Sequence, residues 1–108
     1  MKRIDAIIPE KNLEAVNKSL ESTGVTGVTV FDACGRGKAS PKANQMGSAW
    51  YYFPVFGNNK VITVLTADGD ADKVVQAINE NAEAGKIIVT NVENLVDIRN
   101  NTKGEQAL

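Results

Sequence analysis

Alternating apolar and polar positions at the start of the chain predict a β-strand over residues 2–8. Ile4, Ala6 and Ile8 share one face of this strand. Pro9 ends the pattern, since proline cannot donate a ladder hydrogen bond. The chain therefore opens with a strand that has one apolar face.

A helical period follows this strand and leads into a second one. Leu13, Val16 and Leu20 recur at a spacing of three or four residues, which places them on one face of a helix. Gly24 is the type of residue that closes a helix. The apolar run after it predicts a strand over residues 25–31.

The second half of the chain repeats this order. A strand is predicted over residues 60–66, a turn over 67–70 and a last main strand over 86–90. Between the turn and Gly85, which is predicted to end the helix, four apolar residues form one helical stripe: Val74, Val75, Ile78 and Ala82. We therefore expect one domain over residues 1–108, with an α+β ferredoxin-like βαββαβ fold in which two helices cover one face of an antiparallel sheet.

The predicted sheet carries apolar residues on both of its faces. Val61 and Leu65 lie on the opposite side of their strand from Ile62 and Val64. A sheet with one face in water should be polar there. Burying a valine or leucine side chain stabilises a protein by about 1.5–3 kcal/mol, so leaving several exposed is costly. We expect the chain to self-associate through the face without helices.

The connection between the second and third strands, residues 35–59, is unusually long. Connections in compact domains are usually about 4–6 residues, and much longer ones commonly carry function. Glycines alternate with cations at its start (Gly35, Arg36, Gly37, Lys38), and its later part is aromatic (Trp50, Tyr51, Tyr52, Phe53). Glycines let backbone amides approach an anion, which makes Arg36, Gly37 and Lys38 a candidate anion site, with a solvated turn as the alternative. The aromatic residues are a candidate partner-binding surface.

The composition argues against several classes of function. Twelve Lys and Arg residues against thirteen Asp and Glu residues give a net charge of −1, which argues against binding held mainly by nucleic-acid phosphates. With no histidine and one cysteine, the chain cannot form a Ser–His or Cys–His catalytic pair and lacks the usual zinc ligands. We expect no catalytic site, no metal and no obligatory cofactor.

Targeting signals and the single cysteine add two further expectations. The chain has no run of the roughly 20 apolar residues that cross a bilayer, and its start lacks the apolar core of a signal peptide, so we expect a cytoplasmic protein. Cys34 is either a small residue at a strand end or a thiol activated by the neighbouring cations Arg36 and Lys38.

Several segments together resemble the PII signal-transduction family over nearly the whole chain. They are residues 1–8, 23–30, 72–78 and 98–108, with Gly35 and Gly37 at the position of the base of the family's T-loop. The resemblance implies a homotrimer with an adenine nucleotide in each cleft between subunits. It also implies a T-loop over about residues 35–59 that docks into a protein target, commonly a membrane transporter or a metabolic enzyme, and a C-terminal loop over about residues 99–108.

Carried over residue by residue, the resemblance implies a nucleotide site made of Gly27, Val28, Thr29, Gly35, Arg36, Gly37, Lys38, Thr63, Val64, Gly85, Lys86, Ile87, Arg99 and Lys103. The chain also departs from the family. Most of the phosphate-binding B-loop is deleted, leaving Lys86, and Asp97 replaces an arginine where it would repel a triphosphate. Ala39 replaces the glutamine that helps to hold 2-oxoglutarate. Tyr51 matches the uridylylated tyrosine, but its surroundings differ.

These departures are similar to the divergent PII-like branch, which includes proteins associated with carboxysomes and bicarbonate transport. The resemblance then implies that AMP or ADP is preferred, with ATP as a further candidate, and that bicarbonate is a second ligand at the T-loop base. A classical nitrogen-regulatory protein that responds to ATP and 2-oxoglutarate is the alternative within the family.

Alternatives outside this family remain open. The chain could be a small-molecule-binding ferredoxin-like module or a CutA-like trimer. An RNA-binding module of the same topology is another, although it would need aromatic residues on the central strands and the sequence has none there. The polar C-terminal residues are either a frayed tail or a clamp that supplies Arg99 and Lys103 to a neighbouring subunit's ligand.

Overall fold

The computed structural model describes residues 1–36 and 57–108, and the strands and helices there follow the predicted order. The elements are β1 (Lys2–Pro9), α1 (Leu13–Glu21), β2 (Thr29–Gly35), β3 (Gly57–Thr66), α2 (Ala71–Asn79), β4 (Lys86–Asn91), β5 (Val96–Asp97) and β6 (Thr102–Lys103), with 3-10 turns at Glu10–Asn12, Asp68–Asp70 and Gly104–Ala107. The main sheet has the order β2-β3-β1-β4 with every neighbouring pair antiparallel, which confirms the ferredoxin-like α+β fold.

The hydrophobic core lies between the two helices and one face of this sheet. The buried residues come from β1, β3 and both helices: Ile4, Ala6, Ile8, Val16, Leu20, Ile62, Val64, Ala71, Val74, Ala77 and Ile78. Apart from Ala71 and Ala77, they are the alternate strand positions and the helical stripes that the sequence pattern indicated. Within α2, however, Ala77 is buried and Val75 is only partly buried, so the predicted stripe is rotated slightly.

The second strand differs from the prediction because its boundaries are set by pairing with β3. The pairing runs from Thr29 opposite Thr63 to Gly35 opposite Gly57. Val25 and Val28, which were predicted to lie in the strand, instead pack against the core from the connection that precedes it. The same pairing assigns residues 57–59 to β3 rather than to the long loop.

The second helix also ends earlier than predicted. It stops at Asn79, and Gly85 lies six residues further on with a φ of 120°. Asn81 closes the helix by donating its side-chain amide to the Ala77 carbonyl, at 2.8 Å. A Cβ atom at Gly85 would overlap the carbonyl oxygen of Ile7, so this glycine permits a close approach to β1 rather than a helix cap.

The sheet face without helices, called the open face below, is apolar around a polar centre. Its apolar residues are Ile7, Phe31, Val61, Leu65 and Ile88, as the strand registers show. At its centre, Asp5 accepts a hydrogen bond of 2.6 Å from the Thr63 hydroxyl and forms a 3.0 Å ion pair with Arg3. Phe31 is 50% exposed, Leu65 37% and Ile88 46%. Within residues 1–36 and 57–108, these three apolar side chains are thus left partly exposed, as the sequence predicted.

The C-terminal residues are folded rather than frayed. The short strands β5 and β6 pair as an antiparallel hairpin, with Val96 opposite Lys103 and Asp97 opposite Thr102. Gly104 closes the hairpin by donating its N–H to the Leu95 carbonyl at 2.8 Å. Among the helices of the described residues, none has the length and apolar character of a membrane span.

Candidate functional site

The predicted nucleotide-binding residues in and beside the main sheet form two groups, which lie at opposite edges of the sheet, while Arg99 and Lys103 lie in the separate C-terminal hairpin. The first group is at the β2 edge. Gly27 and Val28 precede β2, Thr29 is its first residue, and Gly35 is its last, followed by an exposed Arg36. Among the strands of the described residues, none pairs with this edge of β2.

The first group also includes two residues of β3, one with its side chain on the open face and one with its side chain in the core. Thr63 lies opposite Thr29 on the open face, where its hydroxyl donates to Asp5. Val64 is only 1% exposed because its side chain fills the core. The pairing of β3 with β2 ends at Thr63, so Val64 can contribute main-chain atoms just beyond the last pair.

The second group is at the β4 edge. Lys86 is the first residue of β4 and lies opposite Ile7 on the open face, whereas Ile87 lies opposite Ala6 and faces the helices. Gly85 precedes them at its close approach to Ile7. Residues 80–85, called the α2–β4 connection below, are therefore a short segment pressed against β1.

Arg99 and Lys103 belong to the C-terminal hairpin. Lys103 lies in β6, and Arg99 lies in the turn that joins β5 to β6, where it is exposed. Asp97 holds this turn, because its carboxylate accepts the N–H of Arg99 at 2.9 Å and the N–H of Asn100 at 3.2 Å. It also accepts the Asn100 side-chain amide at 3.1 Å.

These hydrogen bonds change the interpretation of Asp97. The one from the Asn100 backbone is the main reason that the pKa of Asp97 lies below its ordinary value, with contributions from the Asn100 side chain and the Arg99 backbone. Asp97 was predicted only to repel phosphate, whereas its carboxylate holds the turn. An Asp followed within three residues by Asn is the local signal that could have found it.

We expect replacement of Asp97 by alanine to loosen the turn that carries Arg99. The backbone N–H groups of Arg99 and Asn100 lose their acceptor, so their amide hydrogens should exchange faster in NMR measurements while those of β1 stay protected. Asp97→Asn keeps one acceptor oxygen and should have a smaller effect. Unchanged exchange at both amides in Asp97→Ala would show that the carboxylate does not hold the turn.

The wild-type turn should also respond to acid. Because the pKa of Asp97 is lowered in the folded chain, the stabilisation is present above the ordinary value of 3.8 and is lost as the pH falls through the lowered value. The Arg99 and Asn100 amides should therefore lose protection at that pH in the wild type. In Asp97→Asn the same amides should show no such dependence.

The remaining predicted site residues lie outside the described residues. They are Gly37 and Lys38 of the anion site and the aromatic residues Trp50, Tyr51, Tyr52 and Phe53. Of the anion site, the structure describes only Arg36. Cys34 is an exposed free thiol two residues before it. In residues 1–36 and 57–108, no group of three or more Cys, Asp or Glu side chains is arranged to hold a metal ion.

Comparisons with known proteins identify the family. The model of the family described as nitrogen regulatory protein P-II matches residues 1–102. A protein of Rhizobium meliloti with that name is 35% identical over 113 aligned residues, which cover 100% of both chains. Its namesake from Azospirillum brasilense is 34% identical with the same coverage. Nitrogen regulatory protein P-II 2 of Methanothermobacter thermautotrophicus is 33% identical and is covered to 97%. The chain therefore belongs to the P-II family of regulatory proteins.

Proposed function

We propose that this protein is a trimeric regulator, without catalytic activity, that binds an adenine nucleotide between subunits and signals to a protein target. The observation that carries this proposal is the separation of the two groups of predicted nucleotide-binding residues. Thr29 lies at the β2 edge and Lys86 at the β4 edge, with β3 and β1 between them. Three strand spacings of about 4.8 Å amount to roughly 14 Å.

A cleft between two copies brings these groups together more simply than one chain can. Within one chain, a nucleotide touching both groups would have to lie across the apolar open face. When the β2 edge of one copy faces the β4 edge of the next, each copy supplies one wall of a cleft. Three copies that enclose their open faces repeat this arrangement around a closed ring with three equivalent clefts.

The open face supports such an assembly. Phe31, Leu65 and Ile88 are large apolar side chains that one chain leaves partly exposed, and burial between copies would remove them from water. The polar centre of this face is already satisfied within the chain, because Asp5 is bonded to Thr63 and Arg3. Burying it therefore leaves no carboxylate without a partner.

The α2–β4 connection favours a nucleotide with few phosphates. It has no room for a loop of several amides around a triphosphate, since Gly85 is pressed against Ile7 only six residues after the end of α2. The alignments with the relatives run over 113 positions, five more than the 108 residues of this chain. Lys86, Arg99 and Lys103 remain as cations for the phosphates, which suits AMP or ADP better than ATP.

The long loop is the proposed output. Arg36, together with Gly37 and Lys38 outside the described residues, would bind a small anion such as bicarbonate beside the nucleotide. The anion would then favour one loop shape by its higher affinity for that shape. The aromatic residues Trp50, Tyr51, Tyr52 and Phe53 would contact the target, for which we propose a transporter or a metabolic enzyme.

A second candidate function comes from the relatives, which are named nitrogen regulatory proteins. In that case the ligands would be ATP and 2-oxoglutarate. Ala39 in place of the T-loop glutamine argues against 2-oxoglutarate. The two candidates differ in both ligands, so one titration series separates them.

Isothermal titration calorimetry with AMP, ADP and Mg-ATP, each with and without bicarbonate or 2-oxoglutarate, should give AMP or ADP an affinity at least equal to that of Mg-ATP. Bicarbonate should strengthen ADP binding, and 2-oxoglutarate should have no effect. Much tighter Mg-ATP binding that 2-oxoglutarate strengthens would establish the second candidate. An absence of binding by every nucleotide would contradict both.

A further inference from the structure

One short segment of the chain contacts both walls of the candidate clefts. It comprises residues 7–12, the end of β1 and the 3-10 turn at Glu10–Asn12, and is called the linking segment below. On one side lies the loop stem, residues 32–36 and 57–60, from which the long loop departs. On the other side lies the α2–β4 connection, which leads into Lys86.

Lys60 attaches the loop stem to the linking segment. It lies in β3 opposite Asp32 of β2 and opposite Ile8 of β1. Its ammonium group forms an ion pair with Asp32 and lies 3.6 Å from the Glu10 carboxylate. The hydrogen bond to Asp32 raises the pKa of Lys60, and the side chain is only 19% exposed. One cation therefore binds both strands of the stem to the 3-10 turn.

Asn12 attaches the α2–β4 connection to the same turn. Its side-chain oxygen accepts the backbone N–H of Glu83 at 3.2 Å. Next to it, the Lys11 ammonium group lies 2.8 Å from the Glu83 carboxylate. Two residues further on, Gly85 packs against the Ile7 backbone. The connection is thus fixed to the linking segment at three points just before Lys86.

We propose that the linking segment couples the loop stem to the α2–β4 connection, with Lys60 and Asn12 as the positioning residues at its two ends. This proposal rests on the proposed function and deepens it. The stem ends at Arg36 and the connection leads into Lys86, and these two cations flank the proposed clefts. Coupling of this kind is reciprocal: the coupling free energy through which the stem affects the connection is the same as that through which the connection affects the stem.

Hydrogen exchange of the unliganded protein, followed by NMR or mass spectrometry, tests the coupling in both directions. Asn12→Ala removes the acceptor for the Glu83 N–H, and we expect several-fold faster exchange in the loop stem as well as in the connection. Lys60→Met removes the cation of the stem, and we expect several-fold faster exchange of residues 82–86 as well as of the stem.

Three control variants keep the test specific. Asn12→Asp retains an acceptor oxygen and should exchange like the wild type at the stem. Lys11→Gln removes only an exposed ion pair, so it should cause a smaller change in the same direction, which can still be measured if Asn12→Ala folds poorly. Lys73→Met removes an exposed lysine of α2 that pairs with Asp70 in the preceding 3-10 turn, and it should change neither region. If each variant alters exchange only at its own end, the proposal is overturned.

An ADP titration of the same variants separates this proposal from the proposed function. Lys60→Met and Asn12→Ala should each bind ADP several-fold more weakly than wild type, while Lys73→Met should bind equally well. A wild-type protein that binds no ADP contradicts the proposed function, but the exchange experiment still decides the coupling. Normal ADP binding together with exchange changes confined to one end contradicts the coupling alone.

Discussion

Replacement of Gly85 by alanine is expected to destabilise the chain more than alanine at either of two other glycines, Gly104 and Gly69. Two effects add at this position. A non-glycine residue in an unfavourable backbone region, such as the φ of 120° here, costs about 1–3 kcal/mol. The new Cβ would overlap the Ile7 carbonyl oxygen, and the backbone shift that relieves such an overlap typically costs about 1–3 kcal/mol more. Urea unfolding should therefore show that the free energy of unfolding falls by about 3 kcal/mol or more.

Two glycine variants separate these effects. Gly104 has a φ of 67° but open space around its Cβ position, so Gly104→Ala should show only the backbone cost. Gly69 has open space as well and no positive φ, so Gly69→Ala should change stability little. If Gly85→Ala were no more destabilising than Gly104→Ala, the close approach of the α2–β4 connection to β1 would be contradicted.

Replacement of Leu65 by lysine is expected to convert the proposed trimer to a folded monomer. Within one chain, Leu65 is 37% exposed on the open face, so a lysine there can extend to water without disturbing the core. In the trimer the same charge would be enclosed without a partner, at a cost of about 3–5 kcal/mol in each subunit. Sedimentation velocity at micromolar concentration should therefore show a monomer with the wild-type circular dichroism spectrum.

Val89→Lys is the matched control for this assembly prediction. Val89 has a similar exposure of 46%, but it lies opposite Ile4 and so on the helix side of the sheet. This variant should remain trimeric. A wild-type protein that sediments as a monomer, or a Leu65→Lys variant that stays trimeric, would show that the open face is not the interface.

The architecture could be predicted from the sequence because the positions of the core residues follow local periodicity. Ile4, Ala6 and Ile8 alternate, and Val16 and Leu20 recur at helical spacing, so both the elements and their buried faces follow from neighbours in the chain. The apolar open face was also predictable, because the same alternation leaves Leu65 on the side away from the helices. These features needed no knowledge of contacts between distant residues.

The features that the sequence did not predict depend on such distant contacts. The start of β2 at Thr29 rather than at residue 25 follows from its register with Thr63, which the local apolar run does not contain. Gly85 was predicted to end the second helix. A glycine is instead required there because the backbone of Ile7, which is distant in the sequence, leaves no room for a Cβ atom.

The candidate site was predictable only in part. The resemblance supplied its residues, and the structure added their division between two edges of the sheet. The function of Asp97 was missed because the residue was interpreted only as a charge, although its hydrogen-bond partners lie two and three residues further along the chain.

Subunit complementation tests most directly the central claim that each nucleotide site is shared by two copies. Thr29→Tyr blocks the wall at the β2 edge, Lys86→Glu reverses the charge of the wall at the β4 edge, and neither variant alone should bind ADP in calorimetry. After the two are unfolded, mixed equally and refolded, each mixed trimer regains one intact cleft, so roughly a quarter of all clefts should bind ADP. If the mixture binds no more ADP than the separate variants while mass spectrometry confirms mixed trimers, the nucleotide site is not shared between subunits.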